Sequence, residues 1–401
     1  MKYIIILGDG MADEPIPALG NRTPLQVAKT PWMDKLARRG QSGILHTIPE
    51  GTTPGSEVAN LSVLGYDPMQ VLEGRGSLEA ASMGVAIEPG EMVLRCNLIS
   101  IENGKIKNHS AGHISSEDAG ILIRHLNEKL CEDAARFFPG VSYRHLLKLK
   151  TGNKHIHCSP PHDVTGMEFE KMLIRAVIPE AKATADFLNA LILRSQDILE
   201  KHPVNLRRKA EGKAPANSIW PWSPGYKPRM QTLSELYPIR SGAVISAVDL
   251  IKGIGIYAGL EVIEVQGATG LYDTNYEGKA QAALKALREK DLVYLHVEAS
   301  DEAGHEGNIE LKIQTIEYLD NRILKTILEE TVQWTEPVTI ALLPDHPTPC
   351  RIKTHTAEPV PFVIYKPGET PDAVKQFDEF SVRQGFYGEL KGDEFIKNIF
   401  R

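Results

Sequence analysis

One short segment near the end of the 401-residue sequence combines several side chains that bind metal ions in proteins. The segment PDHPTPCRIKTHT, residues 344–356, holds Asp345, His346 and His355 between prolines and threonines. Prolines at 347 and 349 exclude a regular helix, and the polarity excludes a core strand. A carboxylate and two imidazoles on a stiffened loop suggest metal ligands. Because three ligands are an incomplete set, further ligands are expected elsewhere in the chain.

Other carboxylates and imidazoles occur at two more places. Asp9 follows the apolar run YIIIL, and SDEAGHEGN holds Asp301 and His305 four residues apart, on one side of a helical turn. Nitrogen and oxygen ligands without thiolate suit Mn²⁺ or Zn²⁺ better than Mg²⁺ or Ca²⁺. Three carboxylates and three imidazoles exceed the needs of one tetrahedral ion, but they fit two ions about 3.5–4 Å apart, as in two-metal phosphoryl transfer.

Each of these pieces has a simpler interpretation when it is taken alone. An adjacent Asp-His pair on a loop is more often a hydrogen-bonded turn than a metal site, and the same holds for a single DxxxH on a helix. Here the pieces recur at the ends of three expected strands. That recurrence favours the metal site.

Ser56 is the candidate nucleophile. It lies in EGTTPGSEVANLSVLGYDP, after Pro-Gly and before a helix-like run. Such a serine is ordinarily a helix N-cap, but the N–H groups of a helix start also favour an anion such as a phosphorylated serine. No histidine–aspartate pair lies nearby in sequence, so metal coordination is the other route to an alkoxide at neutral pH. Two divalent ions, three aspartates and an ionised Ser56 would be electrically neutral together.

The elements that must position these residues follow an α/β rhythm. Three apolar runs, each read as a strand buried on both faces of a parallel sheet, lead to an aspartate: YIIIL to Asp9, DLVYLHVEA to Asp301 and PVTIALL to Asp345. Ligands collect at the carboxyl ends of such strands. We therefore expect one sheet built from both ends of the chain, with the middle of the chain inserted as a second domain.

We place the domain boundaries from shifts in composition. Residues 1–85 and 238–401 are expected to form the catalytic domain, and residues 86–237 the inserted domain. Residues 209–229, rich in Pro, Gly and Trp, predict an ordered functional loop or hinge region. The run AVISAVDLIKGIGIYAG, 243–259, predicts a helix, and its glycines favour close helix packing over a phosphate loop.

The bulk composition limits the class of protein. With 42% hydrophobic residues the chain can bury a large core, and its formal net charge of −7 argues against a general nucleic-acid or membrane-surface role. Neither an export signal nor a bilayer-spanning run is recognisable. Four scattered cysteines, Cys96, Cys131, Cys158 and Cys350, fit reduced thiols. We expect a cytoplasmic protein without nucleic-acid or membrane partners, and its oligomeric state stays open.

Many motifs along the chain together resemble one known family. They are, in order, GDGMADE, TTPGSEVANLSVLGYDP, EGRGSLEA, LRCN, SAGHIS, PPHDVTG, NSIWPW, GATGLYDTNY, EASDEAGHEG and DHPTP followed by HTAEPVPF. The chain resembles cofactor-independent (2,3-bisphosphoglycerate-independent) phosphoglycerate mutases of the archaeal type, in the alkaline phosphatase superfamily. This resemblance spans almost the whole chain. It implies an α/β fold, with an alkaline-phosphatase-like sheet-and-helix core and a smaller inserted α/β domain that binds substrate.

The resemblance also implies roles for the candidate residues. Ser56 would be the nucleophile. One metal ion would be held by Asp301, His305 and His355, and the other by Asp9, Ser56, Asp345 and His346. Ser56 would take the phosphoryl group from 3-phosphoglycerate and return it to the other hydroxyl, giving 2-phosphoglycerate. Of the two divalent ions, Mn²⁺ is preferred, with Zn²⁺ or Mg²⁺ as alternatives.

The inserted domain departs from the family pattern. Where archaeal-type members usually show Asp-Arg-Ser-Ala-Gly-Arg, this chain has Asn108, His109 and His113 in place of the aspartate and the two arginines. Histidine does not reproduce arginine's bidentate fork, although the changed positions could also be neutral. The expected substrate-binding residues are Arg95, Asn97, Asn108, His109, Arg144 and Lys279.

Two other functions stay open from the sequence. The departure in the inserted domain keeps open a phosphotransferase of the same family with another small hydroxyl acceptor, such as a homoserine kinase. The third hypothesis, a non-catalytic metal-binding protein, would be favoured by the loss of a metal ligand. All seven positions carry the expected residue type. The sequence therefore favours the mutase.

Overall fold

The computed structural model describes residues 1–130 and 133–401; Cys131 lies outside them. The strands, in chain order, are β1 Lys2–Gly8, β2 Gln41–His46, β3 Met92–Glu102, β4 Lys105–Asn108, β5 Ala135–Phe138, β6 Arg144–Leu149, β7 Ile156–His157, β8 Arg175–Ala176, β9 Ser218–Gly225, β10 Gly242–Ile245, β11 Glu261–Val262, β12 Leu292–Val297, β13 Val338–Leu343, β14 Val360–Tyr365 and β15 Gly388–Lys391.

The α-helices, in chain order, are α1 Pro24–Val27, α2 Pro31–Ala37, α3 Ser56–Val63, α4 Pro68–Val71, α5 Arg75–Ser82, α6 Ser116–Leu130, α7 Lys182–Glu200, α8 Pro203–Ala210, α9 Leu233–Leu236, α10 Asp249–Tyr257, α11 Tyr276–Glu289, α12 Ala299–Glu306, α13 Ile309–Tyr318, α14 Lys325–Thr331 and α15 Glu394–Phe400. A π-helical turn, Leu319–Leu324, joins α13 to α14. Short 3₁₀ helices cover Pro17–Leu19, Phe169–Met172, Pro179–Ala181 and Ser381–Gln384. No helix in the described ranges is both long and apolar enough to cross a membrane.

The chain divides into two compact units. The first unit comprises Met1–Leu72 and Met230–Arg401, and the second comprises Glu73–Arg229. Helix α5 belongs to the second unit, although the sequence-based boundary at 85/86 placed it in the first. The reason is local packing, because its Gly76 lies so close to the backbone of β3 at Arg95 that a Cβ would come within 3.0 Å of it.

The first unit is built on an eight-stranded sheet. Its strand order is β11-β10-β12-β1-β13-β14-β2-β15. The five strands from β11 to β13 are parallel, whereas β14 is antiparallel to both of its neighbours. Every residue of β1 is buried, as its continuous apolar run predicts for a central parallel strand. The α/β fold class predicted from the sequence is confirmed.

The register of the central strands positions the candidate ligands. Gly8 pairs with Val297 of β12, and Leu7 pairs with Leu343 of β13. The chain therefore leaves three adjacent parallel strands at one edge of the sheet, just before Asp9, Asp301 and Asp345.

The second unit has its own sheet and core. Strands β4, β3, β6 and β5 are neighbours in that order, and β9 also pairs with β3. Strand β9 lies inside residues 209–229, for which a loop or hinge region was predicted. It is a strand because Trp220 and Trp222 bury their rings, with 2% and 6% exposed, while the backbone pairs with β3.

The helix predicted over 243–259 is wrong in its first half. Residues Gly242–Ile245 form β10, which pairs with β12, and α10 begins only at Asp249. The predicted glycine packing is confirmed, since a Cβ on Gly255 of α10 would lie 2.5 Å from Val244 of β10. A side chain at this position would push the helix off the sheet.

Candidate active site

The candidate nucleophile stands at the start of a helix. Ser56 is the first residue of α3, and Gly55 occupies the N-cap position where serine was the ordinary expectation. The Ser56 hydroxyl is thus free of a capping role, and its Oγ lies 3.2 Å from His346 Nε2. The first-turn N–H groups of a helix favour a negative charge at this point.

Three other side chains converge around Ser56, and together with it they form what we call the serine-side cluster: Asp9, Ser56, Asp345 and His346. His346 Nε2 lies 3.4 Å from Asp345 Oδ2 and 3.6 Å from Asp9 Oδ1. Asp9, Asp345 and His346 are fully buried. Asp9 Oδ1 has no hydrogen-bond partner among the described residues. A buried carboxylate oxygen left in this state is costly unless a cation faces it.

A second group forms what we call the histidine-pair cluster: Asp301, His305 and His355. Asp301 and His305 lie one turn apart on α12, with 3.2 Å between Asp301 Oδ2 and His305 Nε2. His355 Nε2 lies 3.4 Å from Asp301 Oδ1 and 2.9 Å from His305 Nε2. Two imidazole nitrogens and a carboxylate thus point at one another.

The hydrogen bonds of His305 fix its tautomer. Its Nδ1 lies 3.0 Å from the backbone oxygen of Lys353, which only accepts, so Nδ1 carries the proton. Nε2 then presents a lone pair to Asp301. Without a cation this nitrogen must take up a proton, and the hydrogen bond with Asp301 accordingly raises the pKa of His305 to about 9.

A threonine fixes the tautomer of His346 in a similar way. Thr348 Oγ1 donates to Asp301 Oδ1 at 2.5 Å and therefore accepts from His346 Nδ1 at 3.3 Å. The Nε2 atom of His346 is then unprotonated, and its lone pair is directed at Ser56, Asp9 and Asp345. Thr348 thus joins the serine-side cluster to the histidine-pair cluster.

The electrostatics of the two clusters favour divalent ions. Burial, followed by the charges of Asp345 and Asp301, raises the pKa of Asp9 well above its ordinary value. Asp9, Asp345 and His346 have ligand atoms within 4.8 Å of one another, as do Asp301, His346 and His355, so His346 borders both clusters. Three buried carboxylates with imidazole lone pairs directed at them form a donor set that suits divalent cations.

Comparisons with known proteins show the family of this chain. The family model for 2,3-bisphosphoglycerate-independent phosphoglycerate mutase matches residues 37–205. A protein of that name from Methanosarcina acetivorans is 55% identical over 99% of this chain and 98% of its own length. The Methanosarcina mazei protein of the same name is 54% identical over the same shares. This chain belongs to the 2,3-bisphosphoglycerate-independent phosphoglycerate mutase family.

Solved structures extend the likeness to the fold. A Pyrococcus horikoshii protein matches with a TM-score of 0.84 and 31% identity, covering 99% of this chain and 96% of that one. A cofactor-independent phosphoglycerate mutase from Thermoplasma acidophilum matches with a TM-score of 0.71 and 28% identity, covering 100% and 99%. The mutase fold therefore extends over both units of the chain.

Two of the expected substrate-binding residues are engaged within the second unit. Arg95 pairs with Glu79 at 3.0 Å, and its guanidinium lies 4.3 Å from the centroid of the Trp222 ring. Asn97 donates to the backbone oxygen of His109 and accepts from the Trp222 indole N–H. Both side chains therefore help to hold this unit's own structure.

The loop that departs from the family pattern is organised by Asn108. Its Oδ1 accepts from the backbone N–H groups of Ser110 and Gly112, both at 2.9 Å. The His109 ring lies beside Tyr143, with 6.0 Å between centroids, and the His113 ring lies 6.2 Å from the same tyrosine. The substituted histidines are thus gathered around one aromatic ring.

The last two expected substrate-binding residues differ in exposure. Arg144 of β6 is exposed, whereas Lys279 of α11 is only 1% exposed. Lys279 Nζ donates to the backbone oxygen of His296 at 3.2 Å. Burial lowers the pKa of Lys279 to about 8.

Sequence reasoning missed several polar side chains around the ligands. His296 Nε2 donates to Asp9 Oδ2 at 2.9 Å, and Asn60 Nδ2 donates to Asp345 Oδ2 at 2.9 Å. Glu298 lies within reach of Asp9 and Asp301. His296, Asn60 and Glu298 each lie within one of the sequence motifs described above. The signal that could have identified them is a polar residue in an otherwise apolar run.

Proposed function

We propose that this protein interconverts 3-phosphoglycerate and 2-phosphoglycerate by phosphoryl transfer through a phosphoserine at Ser56. The observation that carries the proposal is the Ser56 hydroxyl 3.2 Å from the His346 lone pair, where two buried aspartates converge. A relative named for the activity is 55% identical over almost the whole chain.

The proposal assigns the ligands to two divalent ions. The serine-side cluster would hold one ion and the histidine-pair cluster the other. When bound, the ions supply charge neutralisation and lower the pKa of the serine hydroxyl. Mn²⁺ is the proposed ion, because both clusters mix nitrogen with oxygen donors. The three described cysteines form no disulfide, which supports a cytoplasmic location.

The reaction proceeds in two halves. Ser56 Oγ loses its proton and attacks phosphorus, the bond to the C3 oxygen breaks, and that oxygen takes up a proton. In the second half the C2 hydroxyl loses its proton and attacks phosphorus, the bond between phosphorus and Ser56 Oγ breaks, and Oγ takes up a proton. The N-terminus of α3 stabilises the phosphoryl charge in both halves.

The second unit is the proposed substrate-binding domain. Its His109, His113 and Arg144 supply imidazole and guanidinium groups that suit a carboxylate and a phosphate. The glycerate must stay bound between the half-reactions, because water attacking the phosphoserine would release phosphate instead.

An assay of the Mn²⁺-loaded protein separates the mutase from its rival. We expect 2-phosphoglycerate from 3-phosphoglycerate alone, without added 2,3-bisphosphoglycerate. Formation of phosphohomoserine from ATP and homoserine, with no 2-phosphoglycerate, would overturn the proposal.

Substitution of the serine tests the mechanism. Ser56→Ala should lower kcat by more than about 10³-fold. Ser62→Ala is the matched control, because Ser62 lies on the same helix and its hydroxyl donates to the backbone oxygen of Val58. Turnover that persists in Ser56→Ala would remove this serine from the mechanism.

A further inference from the structure

Asn60 lies between the candidate nucleophile and a candidate metal ligand. It stands one helical turn after Ser56 on α3 and is fully buried. Its Nδ2 donates to the backbone oxygen of Ser56 and to Asp345 Oδ2, both at 2.9 Å. One amide group thus joins the serine's helix to the loop that follows β13.

Tyr294 holds the Asn60 amide in one orientation from the other side. The Tyr294 hydroxyl, buried on β12, donates to Asn60 Oδ1. A backbone carbonyl and a carboxylate only accept, so Ser56 and Asp345 require the amide nitrogen on their side, and the oxygen faces the Tyr294 hydroxyl, which can donate to it. Both N–H groups must then face Ser56 and Asp345, so all three hydrogen bonds of the amide agree.

The bond from Asn60 also fills one of the acceptor positions of Asp345. Asp345 Oδ1 accepts from the backbone N–H groups of Gly10 and His346, at 3.1 and 2.9 Å. The Asn60 amide donates to Oδ2 and so occupies one of its acceptor positions. A carboxylate has about four acceptor positions, so about one stays open. It lies on Oδ2, which is 3.4 Å from His346 Nε2 in the serine-side cluster.

We infer that Asn60, oriented by Tyr294, is a positioning residue that directs the open acceptor position of Asp345 into the serine-side cluster and ties Asp345 to the helix of Ser56. The inference rests on the proposed function for its consequence in catalysis. Its consequence for metal binding follows from the hydrogen bonds alone. Residues that orient a ligand typically change metal affinity or activity by about 10- to 100-fold when they are replaced.

Mn²⁺ binding to the full chain provides the test, with free Mn²⁺ counted by electron paramagnetic resonance. Wild type should bind two equivalents. Asn60→Ala should weaken one of them by about 10- to 100-fold and leave the other unchanged, because the histidine-pair cluster does not contact Asn60. In the mutase assay, kcat should fall by a similar factor while KM stays within about 3-fold.

Two further variants keep the test decisive. Tyr294→Phe removes only the hydroxyl and should weaken the same single equivalent, by about 3- to 10-fold. Ser62→Ala should bind Mn²⁺ as wild type does. If Asn60→Ala does not fold, Tyr294→Phe alone decides. Unchanged binding of both equivalents in the folded variants, or equal weakening of both, would overturn the inference.

The same titration separates this inference from the proposed function. Wild type that binds two equivalents without forming 2-phosphoglycerate would contradict the mutase proposal, yet the loss of one equivalent in Asn60→Ala would still support the role of Asn60. Mutase activity with unchanged Mn²⁺ binding in Asn60→Ala would contradict the role of Asn60 alone.

Discussion

At the scale of single residues, two of the candidate ligand histidines are oriented by a hydrogen bond from Nδ1, the ring nitrogen that does not face the candidate ligand cluster. His305 donates to a backbone oxygen and His346 to Thr348. The ligand types Asp and His could be recognised in the sequence because few other side chains bind metals. Thr348 and Asn60 could not, since threonine and asparagine occur in every loop and helix and their partners are distant in sequence.

Replacing Thr348 should disturb this orientation. Thr348→Val keeps the shape of the side chain but removes the hydroxyl that joins His346 Nδ1 to Asp301 Oδ1. We expect kcat to fall by about 10- to 100-fold and Mn²⁺ affinity to fall with it. Thr348→Ser restores the hydroxyl and should recover most of both. Kinetics of Thr348→Val within a factor of two of wild type would contradict this role.

At the scale of secondary structure, the parallel strands were predictable and a short strand was not. The runs of β1, β12 and β13 are almost continuously apolar, as expected of strands buried on both faces of a sheet, and each ends at a polar loop. Strand β10 has only four residues, and its alanine and valine also fit the helix that follows. Its pairing with β12 decides the outcome, and that pairing is invisible in local sequence.

A buried histidine on β6 predicts a pH dependence of stability. His145 Nδ1 accepts from the Gly140 N–H, and burial lowers the pKa of His145 to about 3. Above pH 6.5 the ring is neutral whether the chain is folded or unfolded. As the pH falls below about 6.5, only the unfolded chain takes up the proton, so stability is lost down to the folded pKa.

His145→Asn should remove this dependence while an amide oxygen replaces the acceptor. Between pH 7 and pH 5 the urea unfolding free energy of wild type should fall by about 2 kcal/mol more than that of the variant. The exposed His157→Asn should show the wild-type slope. Identical slopes for wild type and His145→Asn would contradict the assignment.

At the scale of the whole molecule, the two units differ in how far the sequence predicts their candidate functional residues. All seven candidate catalytic and metal-binding positions lie in the first unit and were named from residue type and motif. The second unit was harder, because Asn97, Asn108 and Arg95 are polar residues of the expected kind whose contacts lie largely within that unit. Composition could not separate such structural contacts from substrate contacts.

The central claim is that Ser56 carries the phosphoryl group between the two halves of the reaction. The most direct measurement is an acid quench of the Mn²⁺-loaded protein during turnover of 3-phosphoglycerate, followed by peptide mass spectrometry. We expect phosphate on the peptide that contains Ser56, and no phosphate on that peptide in Ser56→Ala. Steady formation of 2-phosphoglycerate with the phosphate on another residue, or with no phosphate on the protein, would contradict it.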